Sequence, residues 1–267
     1  MKNKVVVITG ASSGIGKALA SLFFKRGARL VLVARTESKL VELTSSINNL
    51  GGDAIYVVAD VSNQLDCSNV IKQAVDKFGG IDILVNNAGI SMRALFIDLN
   101  LTDFEKVMNI NFYGTIYMTK YALKYILQRK GSIVGISSIA GHKGLPARTA
   151  YSASKFAMTG FLEALRIENL KKGLHVLIAS PGFTASSIRQ NALNSSGENQ
   201  KESPRDEKKM MSAEEVAEHI IVAILKRRNK LVLTPQGRLL VFLNKFFPNL
   251  VDHLVFKNLS KEKNSPF

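Results

Sequence analysis

Four β-branched residues, Val5-Val-Val-Ile8, run straight into Thr9-Gly10-Ala-Ser-Ser-Gly14-Ile-Gly16-Lys17, and this junction restricts the fold more than any other stretch. A short, continuous apolar run fits a strand buried on both faces, as inside a parallel sheet. Beyond the glycines, Ala18, Leu19, Ala20, Leu22 and Phe23 recur at helical spacing until Gly27, which suits a helix C-terminus. The order is strand, Gly-rich turn, helix. Glycines let the backbone turn tightly and approach a ligand, and a helix N-terminus favours an anion, so the junction suits a pyrophosphate. The spacing Gly-x-x-x-Gly-x-Gly differs from the Gly-x-Gly-x-x-Gly of the usual dinucleotide fingerprint. A generic Gly-rich turn is the plainer alternative.

The alternation continues to the far end of the chain. Further strands are predicted at 29–33, 54–58, 81–85, 132–136, 175–179 and 230–233, separated by helical patterns at 38–50, 64–78, 102–128, from Tyr151 to near Gly173, and from the capping box Ser212-Ala-Glu-Glu215 to Arg228. Such a sequence predicts an α/β fold: a Rossmann-type, doubly wound parallel sheet of about seven strands with helices on both faces. Asn109, Asn111 and Gly114 are poor residues for a helix interior and predict a kink or a polar role within 102–128. Residues 185–211 are rich in Asn, Ser, Gln, Glu and Lys without periodicity, the pattern of a lid or binding loop. One catalytic domain is expected over 1–234, with 185–211 as its substrate loop and 235–267 as an apolar extension.

Composition excludes several classes. The single cysteine, Cys67, permits no intrachain disulfide and is too little for a thiolate zinc site. His142, His175, His219 and His253 are scattered, so no metal is expected. The first apolar run is followed by Thr-Gly rather than a cleavage site, and no apolar run is long enough to span a bilayer; a cytoplasmic location is expected. The net charge of +15 is concentrated in the middle: residues 106–200 hold twelve Lys/Arg against Glu163, Glu168 and Glu198. It reads either as a solubilising surface or as attraction for an anionic ligand such as a phosphate-bearing cofactor. Nucleic acid is not expected, because no basic run is interleaved with aromatics.

Three strand ends carry the chemistry. The second strand ends in Ala34-Arg35-Thr36, where a dinucleotide site usually has a carboxylate for the ribose hydroxyls. A guanidinium there suits a 2′-phosphate; Glu37 is close by, and a solvated strand-end arginine is the alternative. Asp60, after the third strand, stands where it can hold the adenine edge. The fifth strand delivers Ser137-Ser138 to the carboxyl edge of the sheet, where ligands bind. Tyr151 and Lys155 then share one helix face. An ammonium one turn from a phenol favours its ionised form, and the pair suits proton transfer beside a carbonyl or alcohol. Taken alone, that spacing equally describes a solvated helix face.

Taken together, Thr9-Gly10-x-x-x-Gly14-x-Gly16, Asp60, Asn86-Asn87-Ala88-Gly89, Asn111, Ser138, Tyr151-x-x-x-Lys155 and Pro181-Gly182 resemble the short-chain dehydrogenase/reductase family in its single-domain form. The resemblance implies hydride transfer between a nicotinamide cofactor and a carbonyl or alcohol carbon. It implies Tyr151 as the proton donor or acceptor, Lys155 as the group that lowers its pKa and binds the ribose, Ser138 as the holder of the substrate oxygen, and Asn111 as the positioner of a relay water. It places Gly10, Ser12, Ser13, Gly14, Ile15 and Gly16 at the pyrophosphate. It places Arg35, Asp60 and Val61 at the adenosine, Asn87, Ala88 and Gly89 beside the cofactor, and Pro181, Gly182 and Thr184 at the carboxamide. Ala34-Arg35 matches members preferring NADP(H) over NAD(H), so reduction is the expected direction. A homodimer or homotetramer through 102–128 and 151–172 is implied as well. One departure is Gly135, where many relatives carry Asn.

The expected activity is NADP(H)-dependent reduction of a lipid-like ketone of 3-oxoacyl, sphingoid or steroid type. The alternatives are an NAD-dependent alcohol dehydrogenase of the same family and a non-catalytic cofactor-binding sensor. The tail carries Leu239, Leu240, Leu243, Phe246, Phe247, Leu250, Leu254 and Val255 near helical spacing, broken by Pro248 into two short helices. A lid or subunit contact is one reading of it. A peripheral membrane segment, helped by Arg238, Lys245 and Lys257, is the other.

Overall fold

The computed structural model describes residues 1–186, 188–203, 206–207 and 210–267. Seven parallel strands form one sheet in the order β3-β2-β1-β4-β5-β6-β7. They are β1 (Val5–Thr9), β2 (Arg29–Ala34), β3 (Asp53–Val58), β4 (Ile83–Asn86), β5 (Ser132–Ile136), β6 (His175–Ser180) and β7 (Lys230–Val232). The helices are α1 (Gly14–Lys25), α2 (Glu37–Asn49), α3 (Gln64–Phe78), α4 (Leu101–Met108), α5 (Gly114–Gln128), α6 (Thr149–Glu168), α7 (Ala213–Leu225), α8 (Pro235–Phe246) and α9 (Pro248–Leu259). The expected doubly wound sheet is therefore present. β4 begins two residues later than expected, and α6 gives way to a 3-10 turn at Leu170–Lys172 before Gly173.

Side-chain alternation along the strands divides the core. Val6 and Ile8 pack with α1, α2 and α7; Val5 and Val7 pack with α3, α5 and α6 on the opposite face. The chain leaves β1 for β2 on one side and reaches β4 on the other. A crevice opens at such a switch point beyond the carboxyl ends of the strands.

Three local departures from regular structure have physical causes. The polar, Gly-containing stretch within 102–128 is a π-helical turn at Asn109–Tyr113 between α4 and α5. It carries Asn111 fully inside. At Gly135 an added Cβ would collide with Leu162 and lie 3.4 Å from Met158 Sδ, so α6 approaches β5 more closely than a side chain permits. Residues 185–211 contain isolated bridges, Thr184↔Met211 and Leu193↔Asn199, and no strand or α-helix among the described residues. Residues 187, 204, 205, 208 and 209 of this expected substrate loop lie outside the described residues.

At the amino edge of the sheet, Asp82 makes a contact that the sequence did not signal. Its Oδ2 accepts from Val5 N at 2.9 Å and Arg129 Nη1 at 2.7 Å, and its Oδ1 from Lys4 Nζ at 2.9 Å. Burial alone would raise its pKa; the bonds from Lys4, Val5 and Arg129 outweigh it and hold the carboxyl below the ordinary aspartate value. Such a group stabilises the fold above the unfolded carboxyl pKa of about 3.9, and that contribution is lost as pH falls through its folded value. Asp82→Asn is expected to lower the unfolding free energy by about 2 kcal/mol at neutral pH and to flatten the acid limb of stability against pH. Urea titrations of both proteins down the acid range check this; identical acid limbs would refute it.

Candidate active site

The crevice is built on a brace between two strand ends. Thr9 Oγ1 accepts from the backbone N–H groups of Asn87 and Ala88, both at 3.0 Å. Asn87 Nδ2 donates to the carbonyls of Thr9 at 2.9 Å and Gly10 at 3.2 Å. Gly10 and Gly14 have φ of 64° and 50°, where a side chain is strained. A Cβ on Gly16 would run into the Gly10 carbonyl and lie 2.6 Å from Asn87 Nδ2. Ser13 precedes α1 without a side-chain capping bond. The first-turn amides of a twelve-residue helix thus open on a cradle with no room for side chains, the arrangement that a pyrophosphate requires. The residues present fit a dinucleotide.

At the adenosine end, Arg35 Nη1 stands 3.7 Å from Asp60 Oδ2, with the arginine side chain 60% exposed. Asp60 Oδ1 accepts from the Ser62 backbone N–H at 2.9 Å and the Ser62 hydroxyl at 2.7 Å. Burial would raise the Asp60 pKa, but these bonds and the Arg35 charge lower it overall, so the carboxylate stays ionised. Glu37, which the sequence set close to this end, accepts from the Tyr56 hydroxyl at 3.4 Å instead and does not line the crevice. Thr36 and Lys39 do line it, and Lys39 was missed in the sequence. The available signal was its position four residues after Arg35, in the first turn of α2.

At the other end Ser138, Tyr151 and Lys155 converge. The Ser138 hydroxyl, which accepts from Ala140 N at 3.2 Å, is a neighbour that lowers the pKa of the Tyr151 phenol. Lys155 Nζ donates to Ile136 O at 2.8 Å and lies 5.7 Å from the centroid of the Tyr151 ring. The expectation that Lys155 depresses the Tyr151 pKa needs correction. Burial raises the phenol's pKa, and the opposing influences come from Ser138, Arg148 and Arg189. Burial likewise pushes the Lys155 ammonium down to about 8. Buried phenol and buried ammonium are each driven toward the neutral form, so Tyr151 is held here as a protonated acid.

The Asn111 side chain makes three bonds within the protein. Its Oδ1 accepts from Ile90 N at 2.8 Å, and its Nδ2 donates to Ile90 O at 2.9 Å and Ser154 Oγ at 3.0 Å. The amide therefore ties the segment after β4 to α6 and fixes Gly89, whose added Cβ would sit 3.0 Å from Asn111 Oδ1 and 3.6 Å from Lys155 Nζ. Gly10, Ser12, Ser13, Gly14 and Ile15 line the crevice, as do Asp60, Val61, Asn87, Ala88 and Gly89. Pro181, Gly182 and Thr184 line it from the end of β6, and Ile139 N donates to Pro181 O at 3.2 Å across the gap. Gly16 packs behind this lining. Among the described residues, no group of three or more His, Cys, Asp or Glu is arranged to hold a metal ion.

The cavity is continuous from Gly10 to the tail helices, with a volume of about 1740 Å³. That exceeds what a single small ligand needs, roughly 300–1,000 Å³. Away from the cradle its lining combines apolar side chains, among them Leu145, Leu193, Leu240, Leu243, Val251 and Val255, with the charged Lys106, Arg148, Arg189, Lys261 and Glu262. No helix among the described residues is long and apolar enough to cross a membrane.

Residues 4–196 match the short chain dehydrogenase family. The 11-beta-hydroxysteroid dehydrogenase A of Sesamum indicum is 42% identical over 197 residues, covering 73% of this chain and 56% of that protein. The chain thus spans little more than half the length of that relative. The dehydrogenase/reductase SDR family member 7B of Bos taurus is 33% identical over 273 residues, covering 99% of this chain and 84% of that protein. The fold is similar to a short-chain dehydrogenase/reductase of Burkholderia phymatum in complex with NAD, with TM-score 0.84, 24% identity, and coverage of 93% and 95% of the two chains. It is also similar to the alcohol dehydrogenase of Thermococcus sibiricus complexed with 5-hydroxy-NADP, with TM-score 0.74, 24% identity, and coverage of 86% and 94%. The chain belongs to the short-chain dehydrogenase family of oxidoreductases.

Proposed function

We propose that the protein is an NADP(H)-dependent reductase of a lipid-like ketone. The convergence of Ser138, Tyr151 and Lys155 at the junction of the dinucleotide cradle and a partly apolar chamber carries this reading. The cofactor, when bound, supplies the hydride. Gly10 to Gly16 hold its pyrophosphate, and Lys155, with one N–H spent on Ile136 O, has donors left for ribose hydroxyls. Ser138 holds the carbonyl oxygen, and Tyr151 gives its proton to the oxygen as negative charge develops there. The Tyr151 phenol carries its proton at neutral pH, as the donor in a reduction must. Asn111 holds the segment after β4 and Ser154 in register around the pair. The apolar part of the chamber and the name of the sesame relative support a steroid-like or acyl substrate.

Two observations favour the phosphorylated cofactor. Arg35, Thr36 and Lys39 line the adenosine end, Glu37 lies outside the lining and accepts from Tyr56, and the ionised Asp60 of that end is paired with Arg35. A carboxylate for ribose hydroxyls is absent from the end of β2, while Asp60 is paired with Ser62 and Arg35. The tail supports a second part of the reading. Residues 235–267 act as an extension of the 1–234 catalytic domain and close its substrate side. Phe242, Phe246 and Phe247 are 59%, 63% and 56% exposed, with Arg238, Lys245 and Lys257 on the same two helices. Such a face suits peripheral contact with an anionic membrane and a substrate drawn from it.

Tyr151→Phe is expected to reduce kcat with NADPH and an 11-ketosteroid or 3-oxoacyl thioester by about 100-fold or more, while NADPH affinity is retained. Wild-type turnover in that variant would sink the mechanism. Arg35→Ser is expected to weaken NADPH binding roughly 30-fold, about 2 kcal/mol, and to leave NADH binding unchanged in fluorescence titrations. Tighter binding of NADH than NADPH by the unaltered protein would reverse the cofactor assignment. Replacing Phe242, Phe246 and Phe247 by Ser should abolish co-sedimentation with anionic liposomes. Equal partitioning of variant and parent would remove the membrane from the account.

A further inference from the structure

The tail ends in a buried ionic clamp at the substrate side of the cleft. Glu262 follows α9 and is only 8% exposed. Arg148 Nη2 donates to both of its carboxylate oxygens, at 3.3 and 3.0 Å, and Arg93 Nε stands 3.5 Å from Oε2. Arg93 Nη2 also donates to Lys263 O at 2.9 Å. These residues come from three separate segments. Arg93 lies in the segment after β4, and its backbone N–H bonds Leu193 O at 2.7 Å. Arg148 is the residue immediately before α6, and its carbonyl accepts from Ser152 N at 2.8 Å. Arg148 therefore starts the turn that carries Tyr151.

Near Arg148 the backbone is held by bonds from Arg148 N to Leu145 O at 3.1 Å, from Leu145 N to Ser152 Oγ at 3.1 Å and from Ala94 N to Ala147 O at 3.0 Å. Ala147, with φ of 57°, is in the left-handed region that a non-glycine residue rarely adopts, and Arg148 gives α6 no side-chain cap. Further support comes from the tail. Leu145 packs on Val251, Val255 and Leu259; Lys143 pairs with Asp252 at 2.6 Å; and Asn244 donates to His142 O at 3.1 Å. The whole span between Ser138 and Tyr151 is thus fastened to α8, α9 and the segment beyond them, and Glu262 is its innermost tie.

We propose that Glu262 is a positioning residue for Tyr151: clamped between Arg93 and Arg148, it fixes the first turn of α6 and balances the charge that Arg148 brings to the phenol. This rests on the reading of Tyr151 as proton donor. The groups around Tyr151 are the Ser138 hydroxyl beyond β5, Arg148 immediately before α6, Lys155 of α6, Arg189 of the loop after β6, which is paired with Glu207 at 2.9 Å, and Glu262 behind Arg148. Lys106 of α4 and Lys261 of the tail line the same cavity. Arg148 favours the phenolate. Removing the Glu262 charge leaves Arg148 uncompensated, so the phenol loses its proton at lower pH.

Glu262→Gln in the full chain tests this with two independent readouts. Hydrogen exchange of the amides in the first turn of α6 is expected to quicken by at least about tenfold, with that of the β1–α1 turn unchanged. With NADPH and an 11-ketosteroid as probes, kcat is expected to fall by up to about 100-fold at constant NADPH affinity. The tyrosine limb of the pH–rate profile should move to lower pH, and Glu262→Asp should recover part of the loss. Unchanged exchange in the first turn of α6, or wild-type kcat with an unmoved limb, overturns the proposal. Should the single variant fail to fold, Arg148→Gln/Glu262→Gln leaves no buried Arg148 charge: fast exchange and low kcat support the clamp, and parental values for both overturn it. Tyr151→Phe separates the two ideas, because wild-type turnover there refutes the proton donor while the exchange result still reports on the clamp.

Discussion

The hydrogen bonds from Asn87 to the Thr9 and Gly10 carbonyls are the constraint on which the site depends. Where β1 and β4 part, two strand ends leave backbone groups that no neighbouring strand satisfies. Asn87 and the Thr9 hydroxyl consume the local carbonyls and the amides of Asn87 and Ala88. The amides at the start of α1 are the donors left over, since Ser13 does not cap them. Uncapped helix amides facing a crevice attract anions before any charged side chain is considered. The glycines follow from the same brace: at Gly10 and Gly16 the Asn87 amide occupies the space that a Cβ would need.

Burial then sets the chemistry at the opposite end. Moving a phenol and an ammonium out of water favours the neutral form of each. For Tyr151 that means a retained proton, which is what an acid catalyst of carbonyl reduction requires. For Lys155 it means a charge that is more easily lost than that of a solvated lysine, held by the Ile136 carbonyl beyond β5. Ser138 supplies the counter-influence on the phenol from one side and Arg148 and Arg189 from the other. The proton affinity of the site is thus a balance between desolvation by burial and the influence of two loops, the β5–α6 connection with Ser138 and Arg148 and the loop after β6 with Arg189.

Legibility in the sequence followed the range of the interaction. The strand–turn–helix junction, the succession of strands and helices along the chain and the break at Pro248 were all readable, because each is written in neighbouring residues: β-branched runs, glycines, a helix-breaking proline. The π turn was half readable. Asn109, Asn111 and Gly114 announced an irregularity but not that Asn111 would spend its amide on Ile90 and Ser154. Asp82 was unreadable, since its partners Lys4 and Arg129 are remote in sequence. The direction of the Tyr151 shift was misread for a related reason. The i,i+4 ammonium is visible in the sequence, whereas the burial that raises the phenol's pKa is a property of the assembled fold.

Glu262 is the extreme case, a tail carboxylate whose partner Arg148 is more than a hundred positions upstream. Its placement needs a reason beyond stability. A carboxylate buried between two guanidinium groups gives up hydration that the mutual attraction only about recovers, and an apolar cluster of the same size would often stabilise as much. The tail already has such a cluster in Val251, Val255, Leu259 and Leu145. What an ionic tie adds to apolar packing is direction: the Arg148 fork meets a carboxylate in few geometries, while a leucine can slide. A tie of that kind is placed where orientation matters, and Arg148 begins the turn that orients Tyr151.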